Sequence, residues 1–285
     1  MAFFKELWAL TRFEHALMLA IAVLIGEAIV LGGLPPLSAP IILSLLVPIL
    51  SEAGSFALND YLDIETDRIN KKTDRPLVKG TLSPKFALWL SIVCIASSVV
   101  LAYFINIPAL AIALVFNALA VLYNWRLKDL PLLGNLYIGL TMAIPFIFGN
   151  YVVSSCLTPL AVALALLGFV SGLAREIIKS VQDMEGDRAA RKSETLPMRI
   201  GARQSIIVAC AFYVLFMLLS LVPFALGLRL NAVSGPLVAT ADVGILSIIY
   251  SLLVSKDQAK ALRSARNISL AALFIGLLGL LAAAI

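Results

Sequence analysis

Charge is what this chain has least of. Only 14% of its 285 residues are Asp, Glu, Lys or Arg, against 61% hydrophobic, whereas soluble domains carry roughly 25% charged residues. That shortage excludes an ordinary soluble protein, and a mean hydropathy of +1.00 points the same way. Histidine is limited to His15. The three cysteines, Cys94, Cys156 and Cys210, sit in apolar segments without ligand-like spacing, so neither a zinc site nor a disulfide is expected. No basic soluble segment exists to engage nucleic acid. The net charge of +5 comes from short clusters and suits anionic headgroups or phosphates.

What is there in quantity is long uncharged sequence. Residues 86–125, 130–174 and 204–228 contain no Asp, Glu, Lys or Arg. About 20 apolar residues cross a bilayer, so each of the first two runs crosses twice, turning at Asn106-Ile-Pro108 and between Asn150 and Pro159. The expected fold is all-α, a polytopic bundle of nine transmembrane helices around a central cavity. Their expected bounds are 15–31, 41–58, 86–105, 108–124, 132–150, 159–178, 204–227, 235–254 and 267–284. Lys5 and Arg12 precede the first apolar run as in a signal sequence. No small-residue cleavage site follows, and Glu14, His15 and Glu27 interrupt the run, so a retained helix is expected. The N-terminal segment, the loops after the second, fourth, sixth and eighth helices and the adjoining end of the sixth helix hold 21 of the 22 Lys and Arg residues, Arg229 being the exception. Those loops and the N-terminus are therefore expected to be cytoplasmic, and residues 1–285 to form one intramembrane domain.

The charges that remain follow a pattern. Asn59, Asp63 and Asp67 stand at i, i+4 and i+8, one face of a helix, with Asp60 beside them. Stacked carboxylates repel one another, and a hard cation such as Mg²⁺ resolves the conflict. Asp183 and Asp187 repeat the i, i+4 pair 120 residues beyond Asp63 and Asp67. The flanking sequence repeats too, Asp67-Arg68-Ile-Asn-Lys71-Lys72 against Asp187-Arg188-Ala-Ala-Arg191-Lys192, which aligns Asn59 with Lys179. Stretches 59–84 and 179–203 thus form two halves of one expected metal-dependent site.

Around these halves stand further candidates. Glu52 lies two turns before Asn59 on the same face, as in a polar groove leading from the metal site into the membrane. Arg75 and Lys79 follow the first stretch in a loop with Pro76 and Gly80, placed to reach back to the carboxylates. Tyr123, Arg126 and Lys128 emerge at the same membrane face, where a phosphate needs donors. Glu176, Lys179, Asp183 and Asp187 continue one helical face past the membrane. Gly186 suggests a bend before Asp187, and Arg175 with Glu176 a buried pair. Glu27 is costly unless paired, Asp242 calls for a local polar partner, Arg12 for an interfacial anchor, and residues 256–266 for a surface helix.

Two carboxylate clusters with Lys and Arg at the membrane surface suit a diphosphate bound through Mg²⁺, above apolar helices that house a hydrocarbon tail. A polyprenyl diphosphate combines those two needs. Its ionisation leaves an allylic cation, which the face of Tyr123 stabilises, and a second substrate captures it. A cation-coupled transporter is the reading from another class. Transporters bind near the bilayer midplane on broken helices, whereas these carboxylates lie at helix ends.

The motifs resemble those of the UbiA superfamily of intramembrane prenyltransferases. Its N-D-x-x-D-x-x-x-D element is matched by Asn59, Asp60, Asp63 and Asp67, its D-x-x-x-D element by Asp183 and Asp187, and its Tyr-to-Lys element by Tyr123 and Lys128. The resemblance implies Mg²⁺ on Asn59, Asp63, Asp67, Asp183 and Asp187, with Lys128 and Lys179 on the diphosphate. Within the superfamily, Arg175-Glu-Ile-Ile-Lys179 and Thr195-Leu-Pro197 look most like archaeal digeranylgeranylglyceryl phosphate synthases. Those enzymes move a geranylgeranyl group onto geranylgeranylglyceryl phosphate. Ser180 and His15 depart from that subfamily, where an acid and an asparagine are expected. An aromatic prenyltransferase acting on 4-hydroxybenzoate or a related quinone precursor is the alternative within the superfamily. The basic residues Arg68, Lys71, Lys72, Arg75 and Lys79 lean towards a phosphate-bearing acceptor.

Overall fold

A computed structural model describes residues 2–130, 132–190 and 195–285, side chains excepted at 2 and 185–190. Among the described residues every regular element is a helix. Among the described residues nine helices or helix pairs are long and apolar enough to cross a membrane, and the protein is a multi-pass membrane protein. All nine expected spans recur, most with bounds shifted by a few residues.

The chain opens with a helix that the apolar runs did not announce, α1 (Ala2–Thr11), which carries exposed Phe3, Phe4 and Trp8. Then come α2 (Phe13–Leu31), α3 (Ala39–Leu62) and two short helices, α4 (Ile64–Ile69) and α5 (Pro76–Lys79). The first half closes with α6 (Pro84–Tyr103), α7 (Ile107–Trp125) and α8 (Leu133–Val153). The second half has α9 (Pro159–Ala190), α10 (Leu196–Ile200), α11 (Ala202–Leu219), α12 (Val222–Ala225), α13 (Ser234–Val254) and α14 (Gln258–Ala284). The expected turns are present. Asn106 caps α7, its Oδ1 accepting from the Ala109 amide at 2.8 Å. Asn150 ties the turn before α9 by accepting from the Thr158 hydroxyl at 2.8 Å.

Three expectations are corrected. Residues 256–266 do not form a separate surface helix, because α14 runs unbroken from Gln258 into the last span. The seventh span is divided into α11 and α12, with Pro223 in the second piece. The helix does not break at Gly186, since the α9 backbone stays helical to Ala190. In α9 and α14 local hydrogen bonding outlasts the change in polarity, and a charge marks an interface rather than a helix end.

The bundle packs through small residues as well as large ones. The α2–α8 and α8–α9 contacts are among the most extensive in the molecule. They bring backbones close at Gly26, Gly149 and Gly168, as expected where lipid offers no hydrophobic drive and van der Waals contact must hold helices together. Glu27, fully buried on α2, accepts a short hydrogen bond from Ser44 of α3. The membrane-depth acid is thereby paired, and so is Asp242, which Ser220 approaches at 3.4 Å.

A candidate carboxylate and cation site

The first acidic stretch straddles a helix break. Asp63 leaves helical geometry (φ −100°, ψ 8°) between α3 and α4, yet the hydrogen-bond ladder persists. The Asp63 amide reaches the Asn59 carbonyl at 2.9 Å, and the Asp67 amide reaches the Asp63 carbonyl at 2.7 Å. Helical spacing therefore survives, and Asn59, Asp63 and Asp67 stay on one side.

These acids are buried and cationic neighbours converge on them. Asp60, Asp63 and Asp67 are 1%, 8% and 3% exposed, where an unpaired carboxylate is costly. Lys128, in a 3₁₀ turn after α7, donates to Asp63 Oδ1 at 2.6 Å. Lys72 lies 3.2 Å from Asp67 Oδ1 and Arg75 3.9 Å from its Oδ2. Burial pushes the Asp67 carboxyl up from its ordinary range, while the Lys72 charge and hydrogen bond pull it back down. Asn59 donates to Asp63 Oδ2 at 3.1 Å and to Asn124 at 2.9 Å, which leaves its amide oxygen to offer a cation.

Asp60 serves differently from its motif neighbours. Arg12 donates to Asp60 Oδ1 at 2.7 Å, and Arg75 makes a shorter bond to the same oxygen. Arg12 holds the left-handed region (φ 46°, ψ 55°) at the α1–α2 junction, a conformation costing of order 1–3 kcal/mol. Its guanidinium lies 4.1 Å from the Phe56 ring centroid. The expected interfacial anchor is thus also a clamp that ties the N-terminal helices to the loop after α4. Leu77 and Leu82 of that loop are buried with Leu10 and Ala57, so the loop is docked.

Not every sequence candidate converges. Lys79 turns away from the carboxylates, 3.9 Å from Glu6. Arg126 is exposed, and its side chain makes no hydrogen bond or ion pair among the described residues. The expected Arg175–Glu176 pair is replaced, because Glu176 accepts from Lys179 at 3.4 Å. Tyr123 stacks on Tyr137 with ring centroids 4.6 Å apart. Asp183 is half-buried on α9, against which α4 packs, so the two acidic stretches lie on contacting helices. The Asp187 side chain lies outside the described residues. Sequence reasoning missed Asn124, which orients Asn59, and the partnership of Arg12 with Asp60. Neither pairing has a periodic signal.

Asn59, Asp63, Asp67 and Asp183 offer oxygen donors of the type that hard divalent cations take. Among the described residues, no three His, Cys, Asp or Glu side chains form a ligand set by themselves. The carboxylates are turned to Lys and Arg instead. Beneath lie two apolar cavities. The larger lies between α2, α3, α8, α9, α11, α13 and α14. The smaller lies between α2, α3, α7 and α8.

The sequence pattern of the UbiA prenyltransferase family matches residues 19–283. The chain is 36% identical over 283 residues to the digeranylgeranylglyceryl phosphate synthase of Archaeoglobus fulgidus, covering 99% of this chain and 96% of that one. It is also 36% identical to the synthase of the same name from Thermococcus kodakarensis, covering 92% and 91%. A solved structure concerning digeranylgeranylglyceryl phosphate synthase in membranes superposes with a TM-score of 0.75 at 28% identity, covering 100% of this chain and 99% of that one. A UbiA homologue from Archaeoglobus fulgidus bound to GPP and Mg²⁺ shares the fold, with a TM-score of 0.69 at 21% identity, covering 97% of this chain and 99% of that one.

Proposed function

The chain belongs to the UbiA prenyltransferase family, and on that premise we propose that it joins a geranylgeranyl group, from its diphosphate, to geranylgeranylglyceryl phosphate. The product carries the second ether bond of an archaeal membrane lipid. The observation that carries this reading is the contact of Lys128 with Asp63 at 2.6 Å. In this reading the pair sets a diphosphate-binding cation against a metal-binding carboxylate. The near full-length similarity to synthases of that name supports the acceptor. In this reading residues 1–285 are one prenyltransferase domain in the plasma membrane, with the N-terminus and both acidic stretches cytoplasmic, as the distribution of Lys and Arg supports.

The residues divide the work. Asn59, Asp63, Asp67, Asp183 and Asp187 would hold Mg²⁺, which when bound offsets charge developing on the departing diphosphate. Lys128 turns from Asp63 to the diphosphate oxygens, with Lys179 and Arg75 as further donors; Arg126 is too exposed to share that role without moving. Fixed positive charge in a partly dry site acts strongly on a leaving anion. The Tyr123–Tyr137 stack would support the positive charge developing on the allylic carbon through its aromatic faces. The apolar helices keep water from capturing that carbon before the acceptor does.

The test offers geranylgeranylglyceryl phosphate and 4-hydroxybenzoate together to purified protein with Mg²⁺ and geranylgeranyl diphosphate, products being read by mass spectrometry. A doubly prenylated glyceryl phosphate that disappears with chelator is the expected result. A prenylated benzoate alone would keep the donor site and overturn the acceptor.

One consequence is measurable without turnover. Lys128→Met removes the closest cation from Asp63, and breaking a buried pair costs about 3 kcal/mol. The variant unfolds at lower temperature in metal-free buffer. Saturating Mg²⁺ restores more stability to it than to wild type, because the metal no longer competes with Lys128. An equal Mg²⁺ effect on both proteins would remove Asp63 from the ligand set.

A further inference from the structure

Joining two long-chain lipids requires their reacting ends to meet at one point, and the two cavities share little. Only Leu19, Glu52 and Thr141 line both. Glu52 is the one ionisable side chain among these three. It is half-buried among the helices and lines both cavities, yet its carboxylate makes no hydrogen bond or ion pair with any described residue. Other membrane-depth acids are occupied, Glu27 by Ser44 and Asp242 by Ser220. A carboxylate left open at the meeting point of two cavities suits neither packing nor pairing.

Its height is also suitable. Glu52 precedes Asn59 by two turns on α3, a rise of about 10 Å, which leaves room for the esterified carbon of the donor and the acceptor hydroxyl between metal site and carboxylate. The larger cavity supplies a cation for the acceptor's phosphate in the same lining. This is Arg175, whose Nε is buried with no hydrogen-bond partner among the described residues. His15 lines that cavity but not the smaller one, so it does not stand where both chains meet.

We propose that Glu52 is the general base that takes the proton from the attacking hydroxyl of the acceptor. The assignment rests on the lipid-joining reading above. The hydroxyl oxygen forms a bond to the allylic carbon as the bond from that carbon to diphosphate oxygen breaks. The electron pair of the broken bond leaves with diphosphate, and the hydroxyl proton passes to the Glu52 carboxylate and then to solvent. No oxidant or further reactant is needed.

The experiment compares wild type, Glu52→Gln and Glu52→Asp with geranylgeranyl diphosphate, Mg²⁺ and geranylgeranylglyceryl phosphate. Donor affinity is measured separately with the non-reactive thiodiphosphate analogue of the donor. Loss of a general base lowers turnover by about 10²-fold or more, so Glu52→Gln is expected to lose that much in kcat while donor Kd stays within about twofold. Glu52→Asp recovers part of the loss. An acceptor carrying a thiol in place of the hydroxyl ionises more easily and is expected to narrow the gap between wild type and Glu52→Gln. A merely structural role would leave that gap unchanged, and that result overturns the assignment. Retention of more than about a tenth of wild-type kcat by Glu52→Gln overturns it as well. If wild type itself forms no ether with this acceptor, the lipid-joining reading falls, and the Glu52 assignment with it.

Discussion

Prenyl transfer by Asp63→Asn falls about 10³-fold, and so does transfer by Asp183→Asn, while the double variant falls little further. One acidic side chain sits at the α3–α4 break and the other on α9, in separate halves of the chain. If each held its own cation, the two losses would multiply to about 10⁶-fold. Side chains that act on one bound group are strongly non-additive, because the first removal already forfeits most of what the group supplies. Removing a single electrostatic contributor at a reacting centre costs roughly 10²–10³-fold, and a lost metal ligand lies at the upper end. The measurement is single-turnover transfer at saturating donor, with thermal unfolding to establish that each variant is folded. Asparagine keeps the size of aspartate and removes only the charge, so the fold stays within reach of both singles. Multiplicative losses would mean two independent sites. Full activity in the double variant would remove the acidic stretches from the chemistry.

The reason this site was visible in the sequence, while its supports were not, lies in the range of the interactions. Asn59, Asp63 and Asp67 share a face because helical hydrogen bonds run i to i+4, and those bonds survive even where Asp63 breaks the helix. The nine spans were visible for a similar reason, since apolar length alone answers the bilayer. By contrast, Arg12 finds Asp60 across 48 residues, and Asn59 finds Asn124 across 65. Such pairs depend on how α1, α3 and α7 dock, which no local period encodes. Arg75 and Lys79 show the same limit from the other side. Both are basic and one turn apart, but α5 sends Arg75 inward to Asp60 and Lys79 outward to Glu6. The continuity of α14 was hidden because Lys256, Lys260, Arg263 and Arg266 mark the membrane surface, and a helix crosses that surface without ending. Gly186 misled similarly, since a glycine weakens a helix by only about 1 kcal/mol.

Gly149→Ala lowers stability by about 3 kcal/mol or more, the largest loss expected from adding one methyl group anywhere in the bundle. A Cβ on Gly149 would lie 2.1 Å from the Val23 carbonyl oxygen of α2. That atom is backbone and cannot swing aside, so α2 and α8 must separate. Overpacking normally costs 1–3 kcal/mol, and more when main chain is forced to move. Gly26 faces the same crossing from α2, its added Cβ standing 2.5 Å from the Phe146 carbonyl oxygen, so no compensating shift is open on that side. The comparison is Gly235→Ala near the start of α13, where a Cβ meets nothing within 4 Å. There the substitution only improves helix propensity, by up to about 1 kcal/mol, and stability holds or rises. Thermal unfolding in detergent reads both variants, and a small effect at Gly149 would mean that the α2–α8 crossing is looser than described. The consequence reaches the chemistry, because α2 and α8 supply Leu19 and Thr141, which with Glu52 are the residues common to both cavities. A methyl group that parts these helices separates the walls where two hydrocarbon substrates must meet. Any Gly149→Ala protein that remains folded is therefore expected to lose transfer activity as well, by at least about tenfold, since small misplacements at a reacting centre are costly.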